Sequence, residues 1–410
     1  MVGKENSTRI AGEKLRKRIA TIAQYYPPHV GGLEIVAQKL AQSLVEYGHE
    51  VSVVTCSTTA PGTSTENGVK VRRCKAFNHL DNYFSIPFAF FGRNVFEALK
   101  TEIEAADLVH IHDVLYPISW IAYLLARRYA KPVCIIQHVA LVFHTNASVR
   151  MAQQLVYRTV GKAMLNRSNQ VIAYNKTVKQ FFLKLGLRDG QVVQMRNGVD
   201  LDLFSPSTDR LAETRLKYGL GTDKPIVLFV GRLVPKKGFQ LLLQTAGEDI
   251  QLVFVGSGKL RHDEQLLPNA RFLSALGQAE LAELYRASDL FVLPSTGEVF
   301  PLAAQEAMAS GLPLILGDDP GYSEYRIDRA MITLVRPEPV LLSRAIRQLL
   351  GDASRLAKMR LYSRRFAEEH FDWETNLLQE SRTYVDLPVR AAPASAASAR
   401  CEIHKAATAA

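Results

Sequence analysis

The chain has 410 residues, 47% of them hydrophobic and 22% charged, the balance of ordinary globular proteins; it is no disordered chain and, at about 150 residues per domain, no single small module. The formal net charge is +10, from 50 Lys+Arg against 40 Asp+Glu. Residues 1–200 hold 25 of these cations against 14 anions and residues 201–410 hold 25 against 26, so the excess sits in the first half and calls for an anionic partner: a nucleotide, a nucleic acid or an acidic membrane surface.

The basic stretch from Lys14 to Arg18 is followed by the apolar run Ile19 to Ala23, too short for the core of a signal peptide. Ile19 to Gln24 reads as a buried strand. It ends in Tyr25-Tyr26-Pro27-Pro28-His29-Val30-Gly31-Gly32, where prolines and a glycine pair break regular structure. Leu33, Val36, Ala37, Leu40, Leu44 and Val45 then recur at helical spacing, Gly48 stops the helix, and Val51 to Thr55 is a second strand. Further strands are predicted at Leu108 to Ile111, Val133 to Gln137 and Val171 to Ala173. Val114 to Ala126, among the longest apolar stretches, falls short of the roughly 20 residues that span a bilayer. The four cysteines Cys56, Cys74, Cys134 and Cys401 form no pair at metal-ligand spacing, which leaves no zinc or disulfide framework. The expected compartment is the cytoplasm, with peripheral membrane contact open.

After Asn197-Gly198-Val199-Asp200 the pattern turns irregular through Ser205-Pro206-Ser207-Thr208, and a second series of strands begins: Ile226 to Val230, Leu252 to Val255, Leu290 to Leu293 and Leu314 to Leu316. Strands alternating with helical stretches predict parallel, doubly wound sheets. The expected architecture is α/β with two Rossmann-like domains facing a cleft, where ligands meet the carboxyl ends of strands. The boundaries are 1–200 for the first domain, 201–222 for the linker and 223–365 for the second domain. A helical region follows at about Ala353 to Val385, and an Ala- and Ser-rich tail over 388–410 reads as disordered.

The strand Ile226 to Val230 runs into Gly231-Arg232-Leu233-Val234-Pro235-Lys236-Lys237-Gly238. Two cations and a close-approaching backbone at one strand end suit a diphosphate, although a solvated basic turn would look the same. The second signal is Pro294-Ser295-Thr296-Gly297-Glu298-Val299-Phe300-Pro301, leading to a helix from about Leu302 that carries Glu306. The helix start offers free N–H groups to an anion, and the carboxylates can accept from hydroxyls. Paired carboxylates also fit a glycosidase. Against that, Arg232, Lys237 and the helix N-terminus are expected to hold both carboxyls ionised, which does not suit a general acid. His138 follows a strand, where a lone histidine is more often structural, and His110 and His112 read as structural or supporting groups.

Gly231-Arg232 with Lys237-Gly238, then Glu298 and Glu306 before Ala307-Met308-Ala309, resemble the signature of the retaining glycosyltransferases of family 4, which have the GT-B fold. The resemblance covers most of the chain. It includes Pro27-Pro28 with Gly31-Gly32, His110-Ile111-His112-Asp113, Asn197-Gly198-Val199-Asp200, Ser288-Asp289-Leu290 with Pro294-Ser295, and Phe371-Asp372-Trp373-Glu374. What it implies is transfer of a hexose from a UDP- or GDP-sugar to a glycan or lipid-linked acceptor in cell-surface glycan or glycolipid synthesis. No cofactor and no metal at the diphosphate are implied. Arg232 and Lys237 would hold the diphosphate and Glu306 the ribose hydroxyls. Glu298, with Val299 and Phe300 beside it, would hold the donor sugar, and His138 would contact that sugar as it is transferred. Gly31 and Gly32 would let backbone approach the donor. The resemblance also implies that a helix over 366–387 packs back on the N-terminal acceptor domain.

Pro301 departs from the family, which often has glycine there; proline lacks the N–H that would reach the donor. A nucleotide-sugar epimerase or a sugar synthase with a soluble acceptor is the alternative within the fold. A dehydrogenase is disfavoured, since no G-x-G-x-x-G follows the first strand, and no nucleic-acid recognition motif is present. Tyr83, Phe84, Ile86, Phe88, Phe90, Phe91, Val95 and Phe96, with Arg93 among them and Arg72, Arg73 and Lys75 upstream, suit either an anionic membrane surface or a packed core.

Overall fold

A computed structural model describes residues 16–29, 31–58, 61–77, 90–138, 147–209, 211–258, 260–262, 267–274, 276–298 and 300–376. The described chain forms two compact units, one reaching Tyr174 and including Val178–Gln194, the other comprising Asn175–Thr177 and the chain from Met195 onward.

The first unit is built on β1 (Arg18–Ala23), α1 (Gly32–Glu46), β2 (Glu50–Ser57), β3 (Gly62–Glu66), β4 (Val69–Phe77), β5 (Phe90–Phe91), α2 (Arg93–Ala105), β6 (Leu108–His112), α3 (Pro117–Arg128), β7 (Val133–Gln137), α4 (Ala147–Val156), α5 (Lys162–Arg167), β8 (Gln170–Ala173), α6 (Lys176–Lys184), whose first residues fall in the other unit, and β9 (Val192–Gln194). Its sheet runs β3-β4-β2-β1-β6-β7-β8-β9, with β5 paired to β4. All pairings are parallel except β3 with β4 and β4 with β5. The central strands are mostly apolar, as expected of a parallel sheet covered on both faces, with polar residues such as Thr21, His110 and His112 buried among them. Every side chain of β6, β7 and β8 is buried.

The second unit holds α7 (Leu211–Lys217), β10 (Ile226–Val230), α8 (Phe239–Leu243), β11 (Gln251–Val255), β12 (Ala270–Leu273), α9 (Gln278–Ala287), β13 (Leu290–Leu293), α10 (Leu302–Ala309), β14 (Leu314–Gly317), β15 (Thr333–Val335), α11 (Pro339–Leu350) and α12 (Ala353–His370). The sheet is parallel throughout, in the order β12-β11-β10-β13-β14-β15.

The strands expected from apolar runs are present. Those the sequence did not announce are β3, β4, β5, β9, β12 and β15. In β4 the adjacent Arg72 and Arg73 interrupt the hydrophobic pattern, β3 is polar, and the others are two to four residues long and mostly at sheet edges. Asn197-Gly198-Val199-Asp200 belongs to the second unit, where Val199 and Asp372 bridge, the Val199 N–H donates to the Phe371 carbonyl at 2.8 Å and the Trp373 N–H to the Val199 carbonyl at 3.2 Å. These two sequence motifs therefore secure each other. The described part of the C-terminal helical region, through residue 376, lies in the second unit; residues 377–387 of the expected helix and the 388–410 tail lie outside the described residues. Among the described residues, no helix is long and apolar enough to cross a membrane.

Candidate functional site

In the second unit the strand order reverses at β10, which pairs with β11 on one side and with β13 on the other. Ligands of open parallel sheets bind at that reversal, beyond the carboxyl ends of the strands. The loops leaving β10 and β13 carry Arg232, Lys236, Lys237 and Glu298 to this place.

The two loops are fitted to each other. Pro235–Lys237 makes a 3-10 turn that ends at Gly238 with φ 74°, and a side chain there would put its Cβ 2.4 Å from the Pro294 carbonyl oxygen. Only glycine permits that approach. The Thr296 N–H donates to the Lys236 carbonyl at 3.2 Å. Across this junction Lys237 Nζ meets Glu298 Oε1 at 2.8 Å, the side chains only 19% and 15% exposed. Arg232 is exposed beside them. Burial lowers the Lys236 pKa, and the Lys237 and Arg232 charges lower it further, against the opposing pull of Glu298 and Asp319. Three cations, Arg232 in solvent and Lys236 and Lys237 partly dehydrated, thus stand near two carboxylates, which leaves a local positive excess able to attract an anion.

Asp319, which the sequence did not single out, is the support of the second loop. Its Oδ2 accepts from the N–H groups of Gly297 at 2.6 Å and Glu298 at 3.3 Å, and its Oδ1 from that of Gly321 at 2.8 Å. Asp319→Ala leaves these N–H groups without their acceptor, so a loss of about 1–3 kcal/mol in denaturant unfolding is expected; an unchanged midpoint would refute the bracing role.

Glu306 lies on α10, only 4% exposed. Its Oε2 accepts from the Tyr285 hydroxyl at 3.0 Å, and the same hydroxyl lies 3.0 Å from the Ala303 carbonyl. Burial raises the Glu306 pKa to about 8. The expectation that neighbouring cations keep both carboxyls ionised is therefore corrected for Glu306: Lys237 engages Glu298, and Glu306 is governed by desolvation. The Phe300 ring is turned inward, 6% exposed and packed among Tyr322, Tyr325 and Phe371. Its carbonyl accepts from Gln305 Nε2 at 3.0 Å. Val299 lies outside the described residues. Pro301 immediately precedes α10, with φ −58°.

The first unit holds Gly31, Gly32 and His138. Gly31 is the N-cap of α1, and Gly32 opens it with nothing within 4 Å of a notional Cβ. The Glu34 carboxylate folds over Gly31 and meets His29 Nδ1 at 3.1 Å. His138 follows β7 and meets His112, also by its ring nitrogen, at 3.1 Å.

Of the aromatic and basic segment, residues 78–89 lie outside the described residues. Val95 is buried, whereas Phe96 is 44% exposed. Two of the upstream cations are already matched: Arg72 Nη1 meets Glu102 Oε1 at 3.0 Å and Arg73 Nη1 meets Glu66 Oε1 at 2.6 Å.

Comparison with known proteins decides what this architecture belongs to. The profile of the glycosyl transferases group 1 matches residues 212–366, and that of glycosyltransferase family 4 matches residues 30–203. The D-inositol 3-phosphate glycosyltransferase of Mycolicibacterium smegmatis is 30% identical over 331 residues, which cover 73% of this chain and 75% of that one. The chain belongs to glycosyltransferase family 4. A second D-inositol 3-phosphate glycosyltransferase, from Gordonia bronchialis, is 27% identical over 402 residues, 88% of this chain and 86% of its own.

Two solved structures show the same fold as this glycosyltransferase, GT-B. Sucrose-phosphate synthase from Thermosynechococcus elongatus superposes with a TM-score of 0.71 at 24% identity, covering 90% of this chain and 98% of that chain. Anabaena HepE in complex with UDP and glucose gives 0.72 at 21% identity, covering 91% and 100%. The enzyme is a transferase built on two parallel-sheet units.

Proposed function

We propose that this glycosyltransferase moves a hexose from a UDP- or GDP-sugar to a glycan or lipid-linked acceptor in the synthesis of cell-surface glycans or glycolipids, with retention of the anomeric configuration. The excess of cations at the end of β10, where Arg232, Lys236 and Lys237 face Glu298 and Asp319, carries the donor part of this proposal. Arg232 and Lys237 meet the diphosphate and stabilise the charge that grows on the leaving nucleotide, the task a divalent ion performs elsewhere. Glu306 takes the ribose hydroxyls. Released from Lys237 by the incoming diphosphate, Glu298 takes hydroxyls of the sugar, with Val299 and Phe300 alongside. Gly31 and Gly32 let backbone approach the donor, and His138 contacts the transferred sugar. The acceptor attacks on the face the nucleotide leaves, and the departing phosphate takes the acceptor proton.

The relatives named for D-inositol 3-phosphate and the structure named for UDP and glucose support this choice of donor and a polar acceptor. The cation excess of residues 1–200 favours an acidic acceptor or an anionic membrane surface on the cytoplasmic side.

A melting panel of UDP-, GDP- and ADP-sugars tests the donor. One of them at 100 times its Kd stabilises the folded protein by about 2.7 kcal/mol and raises Tm accordingly. No rise with any nucleotide sugar, or with UDP, GDP and ADP alone, would sink the donor assignment. Sugar turnover without an added acceptor would instead identify an epimerase.

A further inference from the structure

Three strands of the first unit bring four rings to one place. β6 and β7 pair in the register His110↔Cys134 and His112↔Ile136, and β7 and β8 in the register Ile136↔Ile172 and Gln137↔Ala173. Paired residues of parallel strands face the same side, and alternate residues return to it. His110 and His112 at the end of β6, His138 just past β7 and Tyr174 just past β8 therefore line one face. The ring centroids are 4.8 Å apart for His110 and His112, 5.5 Å for His112 and His138, and 5.0 Å for His138 and Tyr174.

His112 Nδ1 and His138 Nε2 lie 3.1 Å apart. Burial pushes the His112 pKa down to about 3, and burial with the His112 ring takes His138 well below the ordinary value. Both rings are neutral near pH 7, so each carries one N–H, and the bond uses one of the two. His112 Nε2 is buried and makes no hydrogen bond among the described residues. Were His138 the donor, the proton of His112 would sit on that Nε2 as a buried, unpaired N–H. With His112 as donor, Nε2 is only a bare acceptor, and orphaned N–H groups are the rarer and costlier defect.

We propose that His112 is a positioning residue that fixes His138 as its Nδ1–H tautomer, so that His138 offers its surroundings a hydrogen-bond donor at Nδ1 and no free base. Nε2 is spent on His112. The consequence for turnover rests on the contact between His138 and the transferred sugar proposed above: His138 then donates to a sugar oxygen and does not take the acceptor proton.

The tautomer is read directly from 15N spectra of the full-length protein with labelled histidines, where protonated and bare imidazole nitrogens separate; His138→Gln assigns the His138 signals by their loss. The expected result is a protonated Nδ1 and a bare Nε2 in the unaltered protein and in His112→Asn, whose amide N–H still donates. His112→Leu mixes the two tautomers. It also lowers kcat about tenfold, the worth of one hydrogen bond in the transition state, and His112→Asn restores most of that loss. A protonated Nε2 on His138, or an unmixed Nδ1–H tautomer in His112→Leu, overturns the proposal. Should His112→Leu fail to fold, the spectrum of the unaltered protein decides alone. Mixed tautomers with an unchanged kcat would leave the tautomer assignment standing and remove His138 from the sugar site.

Discussion

Replacing Lys237 with alanine lowers kcat about 100- to 1,000-fold for the donor selected by melting, the usual loss when one fixed donor to a developing negative charge is removed. Lys237 is placed for that role before any ligand arrives: the turn Pro235–Lys237 and Gly238 at φ 74° set its backbone, and Glu298 holds its Nζ at 2.8 Å. In the proposed donor site an incoming diphosphate would exchange one anionic partner of Lys237 for another, so little reorganisation would be needed and the carboxylate would be freed for the sugar. The variant is also less stable, by about 1–3 kcal/mol, because Glu298 is left mostly buried without its cation. Lys237→Arg keeps the charge but presents a planar fork where a compact ammonium fits, and recovers part of the rate. Steady-state kinetics beside a melt of each variant separate the two effects. Full turnover by a folded Lys237→Ala protein would remove Lys237 from the donor site.

The placement of these groups was legible in the sequence as far as local pattern reaches. Ile226 to Val230 and Leu290 to Leu293 are apolar runs ended by glycine, proline and charge, and a parallel sheet puts both ends on one edge, which is why Arg232, Lys237 and Glu298 could be named together. What escaped depends on contacts between distant segments. Asp319 has no motif around it and acts only because β14 delivers it beneath Gly297 and Glu298. Tyr285 reaches Glu306 from another helix. The bond between His112 and His138 needs the register of β6 on β7, which two separated strands do not announce. The cations picked out beside the aromatic segment are a similar case. Arg72 and Arg73 are already paired with Glu102 and Glu66 within the unit, so the net excess of the first half, which counts those carboxylates, has to be offered to a partner by other residues. Phe300 sits between two proposed donor contacts in sequence, but its ring serves the core.

Glu306→Gln makes the ligand-free protein relatively more stable as pH rises, and it weakens nucleotide binding. Burial raises the Glu306 pKa from 4.5 to about 8. A raised pKa means that the folded protein retains a proton the unfolded chain has released, so stability is fully present below about 4.5 and is lost as pH climbs toward 8. The local geometry agrees with a retained proton. One Tyr285 hydroxyl lies 3.0 Å from both Glu306 Oε2 and the Ala303 carbonyl and has a single proton to donate, so the one hydrogen bond that favours an ionised Glu306 is shared with a competing acceptor. Glutamine lacks the titration. Unfolding midpoints of the two proteins should therefore nearly coincide at pH 5 and separate by pH 8 in favour of the variant, by a few kcal/mol as an order of magnitude. Nucleotide binding runs the other way. Ribose hydroxyls are accepted best by the ionised carboxylate, so affinity of the unaltered protein increases with pH toward 8 and binding releases a proton, which calorimetry in buffers of different ionisation heat detects. Losing charged hydrogen bonds worth about 1.5–3 kcal/mol costs the variant roughly 10- to 150-fold in Kd. Parallel stability curves for the two proteins would show that Glu306 is ionised in the fold, and equal affinities would place the ribose elsewhere.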